Sequence, residues 1–360
     1  MVTTLIFLGV ISVLVFVHEL GHFVLAKRAG MKVEEFGFGF PPRLAGIRRG
    51  ETVYSINWIP FGGFVKIFGE DGDDRENSRS FGSKPFWPRM KVILAGVVMN
   101  LLFAMFLLMI GNSIGLRKVI EDTDASQAHD LQVQVYQVAP DSPAQAAGIH
   151  VLDVIMGFKT SNGAMVNVRN AKEVSDFVHQ HEGETVTVVL MQAGEIINKE
   201  IRLRSSYPSG QGPMGIAPIL TGTYSYPWYE SIWRGVTDGA IMVVNTLYGY
   251  WLLFSTLFTQ GKLLADISGP VGIAQLTSDA AKIGFVALLQ LMAVISVNLA
   301  VLNAIPFPAL DGGRAFLLIV EKFRGSPINK RVEGMINTTG FIALLALMAF
   351  ITFRDITKFF

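Results

Sequence analysis

The sequence predicts a multi-pass α-helical membrane protein with four transmembrane helices, a re-entrant β loop, and a small soluble α+β domain inserted between the second and third spans. Three observations carry this. The 360 residues are 51% hydrophobic and only 16% charged, with mean hydropathy +0.43. Soluble chains carry closer to a quarter charged residues. Four apolar stretches are long enough to cross about 30 Å of hydrocarbon at 1.5 Å per residue. Between two of them lies a run of alternating strand patterns with turn glycines. The net charge of +1 gives no global field for nucleic acid, and no long basic run lies outside the membrane-flanking loops. Cysteine is absent, which excludes disulfides, thiol catalysis and Cys-ligated zinc. Any metal is left to His, Asp and Glu.

The first stretch runs from Thr4 to Ala26. No basic region precedes it, no A-x-A-like cleavage site follows, and Lys27 and Arg28 close it. It reads as a retained span and not as a signal peptide. The next loop carries Arg28, Lys32, Arg43, Arg48, Arg49, Lys66, Arg75, Arg79, Lys84 and Arg89. Inside it, "EEFGFGFPPRLAGIRRGETVYSINWIPFGGFVKIFG" alternates and is rich in glycine, which predicts a hairpin dipping back into the cytoplasmic face. Its open edge could pair with an extended peptide. The second span is Val92 to Ile114, the third Phe285 to Ile305 and the fourth Met335 to Thr352. The loop after Ile305 carries Arg314, Lys322, Arg324, Lys330 and Arg331. Short loops rich in Lys and Arg stay cytoplasmic, so both basic loops are expected inside, with both termini and the inserted domain outside.

Within the insert, "LQVQVYQV" alternates as a strand, "SPAQAAGI" reads as a short helix closed by Gly148, and "VLDVIMGF" as a second strand. "NAKEVSDFVHQHEG" has helical spacing, and "ETVTVVLMQAGEIINKEIRL" reads as a hairpin turning at Ala193-Gly194. A fifth apolar stretch, Ala240 to Phe258, contains Tyr248, Tyr250 and Trp251, which suit the bilayer interface. A crossing there would put the last basic loop outside, so it is expected to lie at the interface or dip into the membrane. The segments expected are 1–114, the insert 115–225, an amphipathic stretch 226–282 and the last two spans at 283–360.

His18-Glu19-Leu20-Gly21-His22 carries the chemistry. On a helix, positions four apart share one face, so two imidazoles can hold one zinc ion. Glu19 then projects beside the metal as a base for its water. Ionisable groups in an apolar span are costly and so mark a site. A catalytic zinc needs a third protein ligand. His129, His150, His179 and His181 all lie in or beside the outside domain, and His179-x-His181 reads as surface histidines, since positions two apart diverge on a helix. "NLAVLNAIPFPALDGGRAF" offers an alternative at the right depth. Pro306 and Pro308 break its helix, Asp311 follows as the expected third ligand, and Asn303 is a candidate contact to substrate backbone.

The paired motifs, His18 to His22 and then Asn303, Pro306, Pro308, Leu310, Asp311 and Gly312, resemble the site-two protease family of intramembrane zinc metalloproteases, most nearly its regulator-of-sigma-E type. "SRSFGSKPFWPRM" and "ISGPVGIAQL" are similar to further family segments. The insert resembles a single PDZ domain, with Gly148 and Ile149 in its ligand loop. One departure is "AGVVMN", where Val97 stands at a position commonly proline. Another is the single PDZ-like domain where some relatives have two.

The resemblance implies Zn²⁺ as cofactor, held by His18, His22 and Asp311, with Glu19 as catalytic base. It implies cleavage of single-span membrane proteins in the bacterial inner membrane, such as an anti-sigma factor or a leftover signal peptide, after an upstream site-one protease has cut outside. Gly37, Gly39, Gly62 and Gly63 match the family's re-entrant, substrate-facing β loop. Two roles of the PDZ-like domain stay open: a steric gate, or capture of a new C-terminal carboxylate. Membrane lipids are the other expected partner. The competing readings are a soluble zinc peptidase, a metal transporter, and a non-catalytic PDZ-bearing receptor or chaperone.

Overall fold

The structure is a computed structural model that describes residues 2–70, 74, 76–120, 128–159, 163–192, 194–208, 210–260 and 269–359. Ala193 of the expected hairpin turn, Arg75 of the first basic loop, and the first two residues of "ISGPVGIAQL" fall outside them. In chain order the elements are α1 (Val2–Arg28), β1 (Val33–Arg49), β2 (Thr52–Ile67), α2 (Phe86–Ile114), β3 (Leu116–Val119), β4 (His129–Val138), α3 (Pro143–Ala146), β5 (Val154–Lys159), β6 (Met165–Asn167) and α4 (Ala171–Gln180). There follow β7 (Thr185–Gln192), β8 (Glu195–Arg202), β9 (Ile216–Tyr224), α5 (Trp228–Gln260), α6 (Pro270–Ile283), α7 (Phe285–Ala304), α8 (Asp311–Arg324) and α9 (Lys330–Phe359).

The chain divides into two compact units. The first holds residues Met1–Ile110, Tyr229–Ala281 and Leu288–Phe360. Five of its helices are long and apolar enough to cross a membrane: α1, α2, α5, α7 and α9. The sequence reading counted four and left α5 at the interface. Length and composition alone admit it; the interface reading rests on its aromatic residues and on the orientation of the basic loops, which length and composition do not address. Helices such as α2 also begin before the apolar stretch does, since backbone hydrogen bonding continues into the interface where hydropathy falls. The protein is a multi-pass membrane protein with an inserted β domain.

Close helix contact in this unit depends on glycine. A Cβ on Gly21 of α1 would run into the carbonyl oxygen of Ala95 on α2. A Cβ on Gly235 of α5 would meet Met109 and one on Gly239 would meet Met105. Where α1 ends, Ala26, Met31, Val33, Ile67, Phe81, Met90, Val92, Ile93, Ala315 and Leu318 form one buried cluster. It ties the start and end of the hairpin to α2 and α8.

The β1–β2 hairpin is folded back on itself. Phe36 has backbone partners on both sides, Tyr54 and Val65, and Gly37 likewise has Ser55 and Phe64. Gly39 and Gly62 sit at φ +78° and +75°, a backbone region that side chains disfavour. Asn57 donates to the carbonyls of Phe38 and Gly39 at 3.4 and 3.0 Å. The tip is anchored by Glu51, which takes Lys27 at 2.8 Å and Arg79 at 2.5 Å.

The second unit spans Gly111–Trp228 with Lys282–Ala287. Its seven-stranded sheet runs β3-β9-β4-β5-β7-β8, with β6 on β5. The strands, both short helices and the β7–β8 hairpin expected from sequence are present. β3, β6 and β9 were not expected; β3 and β6 are runs of three or four residues with too little alternation to read, and the nine residues of β9 include Pro218 and Gly222, which weaken a strand pattern. Ser142 and Asn170 cap α3 and α4 as side-chain acceptors. Apolar residues of the strands and of α3 and α4, among them Val135, Phe158, Val174, Val188 and Leu190, fill the core. Each such burial contributes about 1.5–3 kcal/mol.

Candidate metal centre

Three elements that are distant in sequence converge. α1 presents His18 and His22 from successive turns. α8 begins with Asp311, which follows the bend through Pro306 and Pro308. Gly312 and Gly313 make that bend possible: a Cβ on either would strike the backbone of 304–308. On α2, a Cβ at Gly96 would lie 2.5 Å from both His18 Cε1 and His22 Nε2. Glycine there leaves room for both rings.

The two Nε2 atoms are 3.2 Å apart, and Asp311 Oδ2 is 3.1 Å from His18 Nε2 and 3.3 Å from His22 Nε2. Both histidines are at most 9% exposed. His22 Nδ1 is 2.7 Å from the Val92 carbonyl oxygen, which accepts a hydrogen bond from Nδ1–H and so leaves Nε2 of the neutral ring with a bare lone pair. Asp311 Oδ2 is buried with no hydrogen-bond donor, although both imidazole nitrogens lie within ion-pair range. A carboxylate oxygen and imidazole lone pairs facing one another repel unless a cation lies among them. Zinc bonds of about 2.0–2.1 Å also give a tetrahedron with edges of about 3.3 Å, close to the three separations found. The donor set fits zinc.

Glu19 lies beside this triangle, and its Oε2 accepts from the Val65 N–H of β2 at 3.1 Å. The centre opens into a cavity of about 580 Å³ lined by His18, Glu19, His22, Gly63, Val65, Glu70, Asp311, Arg314, Lys330, Glu333 and Asn337, among others. Arg314 pairs with Glu70 at 2.5 Å. Glu70, Arg314, Glu333 and Asn337 were not singled out from sequence. Arg314, one helical turn past Asp311, was the one with a readable signal.

Of the expected substrate contacts, Gly63 lines the cavity. Gly37, Gly39 and Gly62 belong to the hairpin but not to the lining. Asn303 is half-buried near the end of α7 and is not among the lining residues. Pro308 packs against Gly340 of α9, while Pro306 is exposed. Gly148 and Ile149 belong to the second unit. Their N–H groups donate to Gln145 and Ala144 at 3.0 Å each, closing α3, and the Ile149 side chain is 2% exposed. Those amides are occupied and not offered to a carboxylate. His179 pairs with Glu182 at 2.8 Å, and His181 bonds the Phe177 carbonyl at 2.9 Å. The two point to different partners, as their spacing implies.

A helical membrane body holding two histidines and a carboxylate around a cation-sized gap, with a glutamate beside it, defines a membrane-embedded metallohydrolase. The family model "Peptidase family M50" matches residues 6–347, and the chain belongs to that family. It is similar to a Clostridium acetobutylicum protein that bears a zinc-metalloprotease name, 33% identical and covering 96% of this chain and 94% of the relative. It is similar to zinc metalloprotease RasP of Shouchella clausii, 29% identical with 99% of both chains covered. Regulator of sigma-W protease RasP of Bacillus subtilis is 27% identical, again over 99% of both. The protein is an intramembrane zinc metalloendopeptidase.

Proposed function

We propose that it cuts single-span membrane proteins inside the bilayer, with zinc held by His18, His22 and Asp311 and with Glu19 as the catalytic base. The observation that carries this reading is the convergence of the three ligand atoms at 3.1–3.3 Å, with Glu19 alongside. Zinc in such a site supplies Lewis-acid activation of water and of the peptide carbonyl. Glu19 takes the attacking water's proton on its carboxylate and delivers it to the leaving amine. The edge of β2 at Gly63 to Val65 faces the cavity and pairs with an unwound stretch of the substrate helix by strand addition. Gly37, Gly39 and Gly62 give the hairpin the turns this requires, and Asn303, Pro306 and Pro308 shape the stretch that leads to Asp311.

Four helices, α1, α2, α7 and α9, cross the membrane in this reading, with the zinc toward the cytoplasmic face. α5 lies at the interface or dips into the membrane without crossing it. Gly235 of α5 lies beside Met109 of α2, about 20 Å along the helix from Gly96. Tyr250 then reaches Asn298 of α7 at 2.9 Å. The start of α6 is pinned to Asp355, which accepts from the Gly272 N–H at 3.0 Å, about 27 Å along α9 from Asn337. α5 thus starts and α6 begins at the same far ends of their neighbours. The PDZ-like insert, 115–225, is extracytoplasmic and acts as a steric gate that admits substrates already trimmed by an upstream protease. The occupied amides of Gly148 and Ile149 favour a gate over carboxylate capture there. The regulator-of-sigma-W name of one relative points to an anti-sigma factor as substrate, with the bacterial inner membrane as location.

The test is cleavage of a tagged single-span substrate by purified protein in detergent beside Glu19→Gln. Cleavage by wild type alone, with zinc content equal in both, is expected. Equal cleavage by both would remove Glu19 from the reaction. Failure of both, on a helix that unwinds readily, would favour the non-catalytic receptor.

A further inference from the structure

Asn100 on α2 is 1% exposed and sets its amide nitrogen 3.4 Å from His18 Nδ1. Its amide oxygen is buried with no partner. An imidazole that holds a metal through Nε2 carries its proton on Nδ1 and needs an acceptor there. His22 has one in the Val92 carbonyl. For His18 the donor NH₂ of Asn100 stands where an acceptor belongs. Half a turn of the amide about its last bond exchanges the two atoms, giving His18 Nδ1–H its acceptor and the orphaned oxygen its partner.

We propose that Asn100 is a positioning residue of the zinc site: in the loaded protein its Oδ1 accepts from His18 Nδ1–H and holds that ring with Nε2 toward the metal. Val92, Gly96 and Asn100 are four residues apart on α2 and so share one face. They provide an acceptor for His22, space for both rings, and an acceptor for His18. The Asn100 backbone carbonyl takes a bond from Ser296 Oγ of α7 at 2.8 Å. That contact ties the residue orienting His18 to the helix that leads into the Asp311 loop.

The inference rests on His18 being a ligand, and the experiment separates the two. Zinc retention is measured in detergent-solubilised protein against a graded series of chelator, together with the thermal midpoint of the zinc-free form. Asn100→Leu keeps the approximate volume and removes the acceptor; a loss of zinc affinity of about 10–100-fold is expected, with the zinc-free midpoint unchanged. Asn100→Asp can accept but not donate, so it is expected to bind zinc within a few-fold of wild type. Should Asn100→Leu fail to fold, Asn100→Asp alone decides: weak binding would mean the residue donates, and the proposal falls. Wild-type affinity in a folded Asn100→Leu would also overturn it. His18→Ala is the reference. If that variant keeps its zinc, the ligand assignment fails; if it loses zinc while Asn100→Leu does not, only the present inference fails.

Discussion

His22 Nδ1–H donates a hydrogen bond to the Val92 carbonyl oxygen at 2.7 Å, and that contact fixes which nitrogen faces Asp311. At this scale the site is a problem of lone pairs. Three acceptors 3.1–3.3 Å apart in a buried setting repel one another unless a metal ion or a shared proton lies among them, because each has lost its water. Asp311→Ala or His22→Ala should therefore abolish stoichiometric zinc, read by elemental analysis after gel filtration. Retention of one zinc per chain by either variant would remove that residue from the ligand set. Stripping zinc from the wild type with a chelator should end cleavage, and adding zinc back should restore it. The HExxH face was legible in sequence because helical spacing alone brings i and i+4 together. The hold of Val65 N–H on Glu19 was not, since it joins a helix to a strand 46 residues away.

At the scale of elements, glycines set the distances between helices. Gly96 lies where a Cβ would be 2.5 Å from both imidazoles, whereas Gly9 on α1 has nothing within 4 Å. Gly96→Ala is expected to cost about 1–3 kcal/mol as an overpacked position and to lower zinc occupancy. Gly9→Ala should do neither. Equal zinc content in the two variants would show that α2 is not a tight cradle. The hairpin offers a pH test. The Lys27 ammonium, followed by the Arg79 guanidinium, holds the Glu51 carboxyl below its ordinary value. A lowered folded-state value stabilises the hairpin above the unfolded carboxylate pKa of about 4.3, and this is lost as pH falls through the folded value. The protection of the β1–β2 amides against hydrogen exchange, taken relative to the intrinsic rate at each pH, should therefore fall on acidification below that range, and less so in Glu51→Gln. Identical acid responses would mean the ion pairs do not anchor the tip. Sequence alternation foretold a hairpin, but not its partners on both sides of Phe36, which depend on the fold-back at Gly39 and Gly62.

For the whole molecule, the insert with its own core is a separable unit in the contact pattern. If it is a steric gate, replacing 115–225 with a short flexible linker should leave cleavage of a pre-trimmed substrate intact. Cleavage of the untrimmed form should then appear, with both read on gels of tagged substrate in membranes. Loss of cleavage of the trimmed form would instead make the insert part of productive binding.

Apolar runs and ligand-bearing motifs are properties of a few consecutive residues. The sequence by itself therefore determined a membrane-embedded body, the histidine pair with a glutamate beside it, and Asp311 as a carboxylate that follows a proline-broken helix. Whether Asp311 meets the histidines, which residues of α2 orient them, and whether the amides at Gly148 and Ile149 are free were decided only by the tertiary structure. Each of these turns on contacts within α3 or between segments tens to hundreds of residues apart. Side-chain chemistry is local in sequence, and the partner that completes it is not.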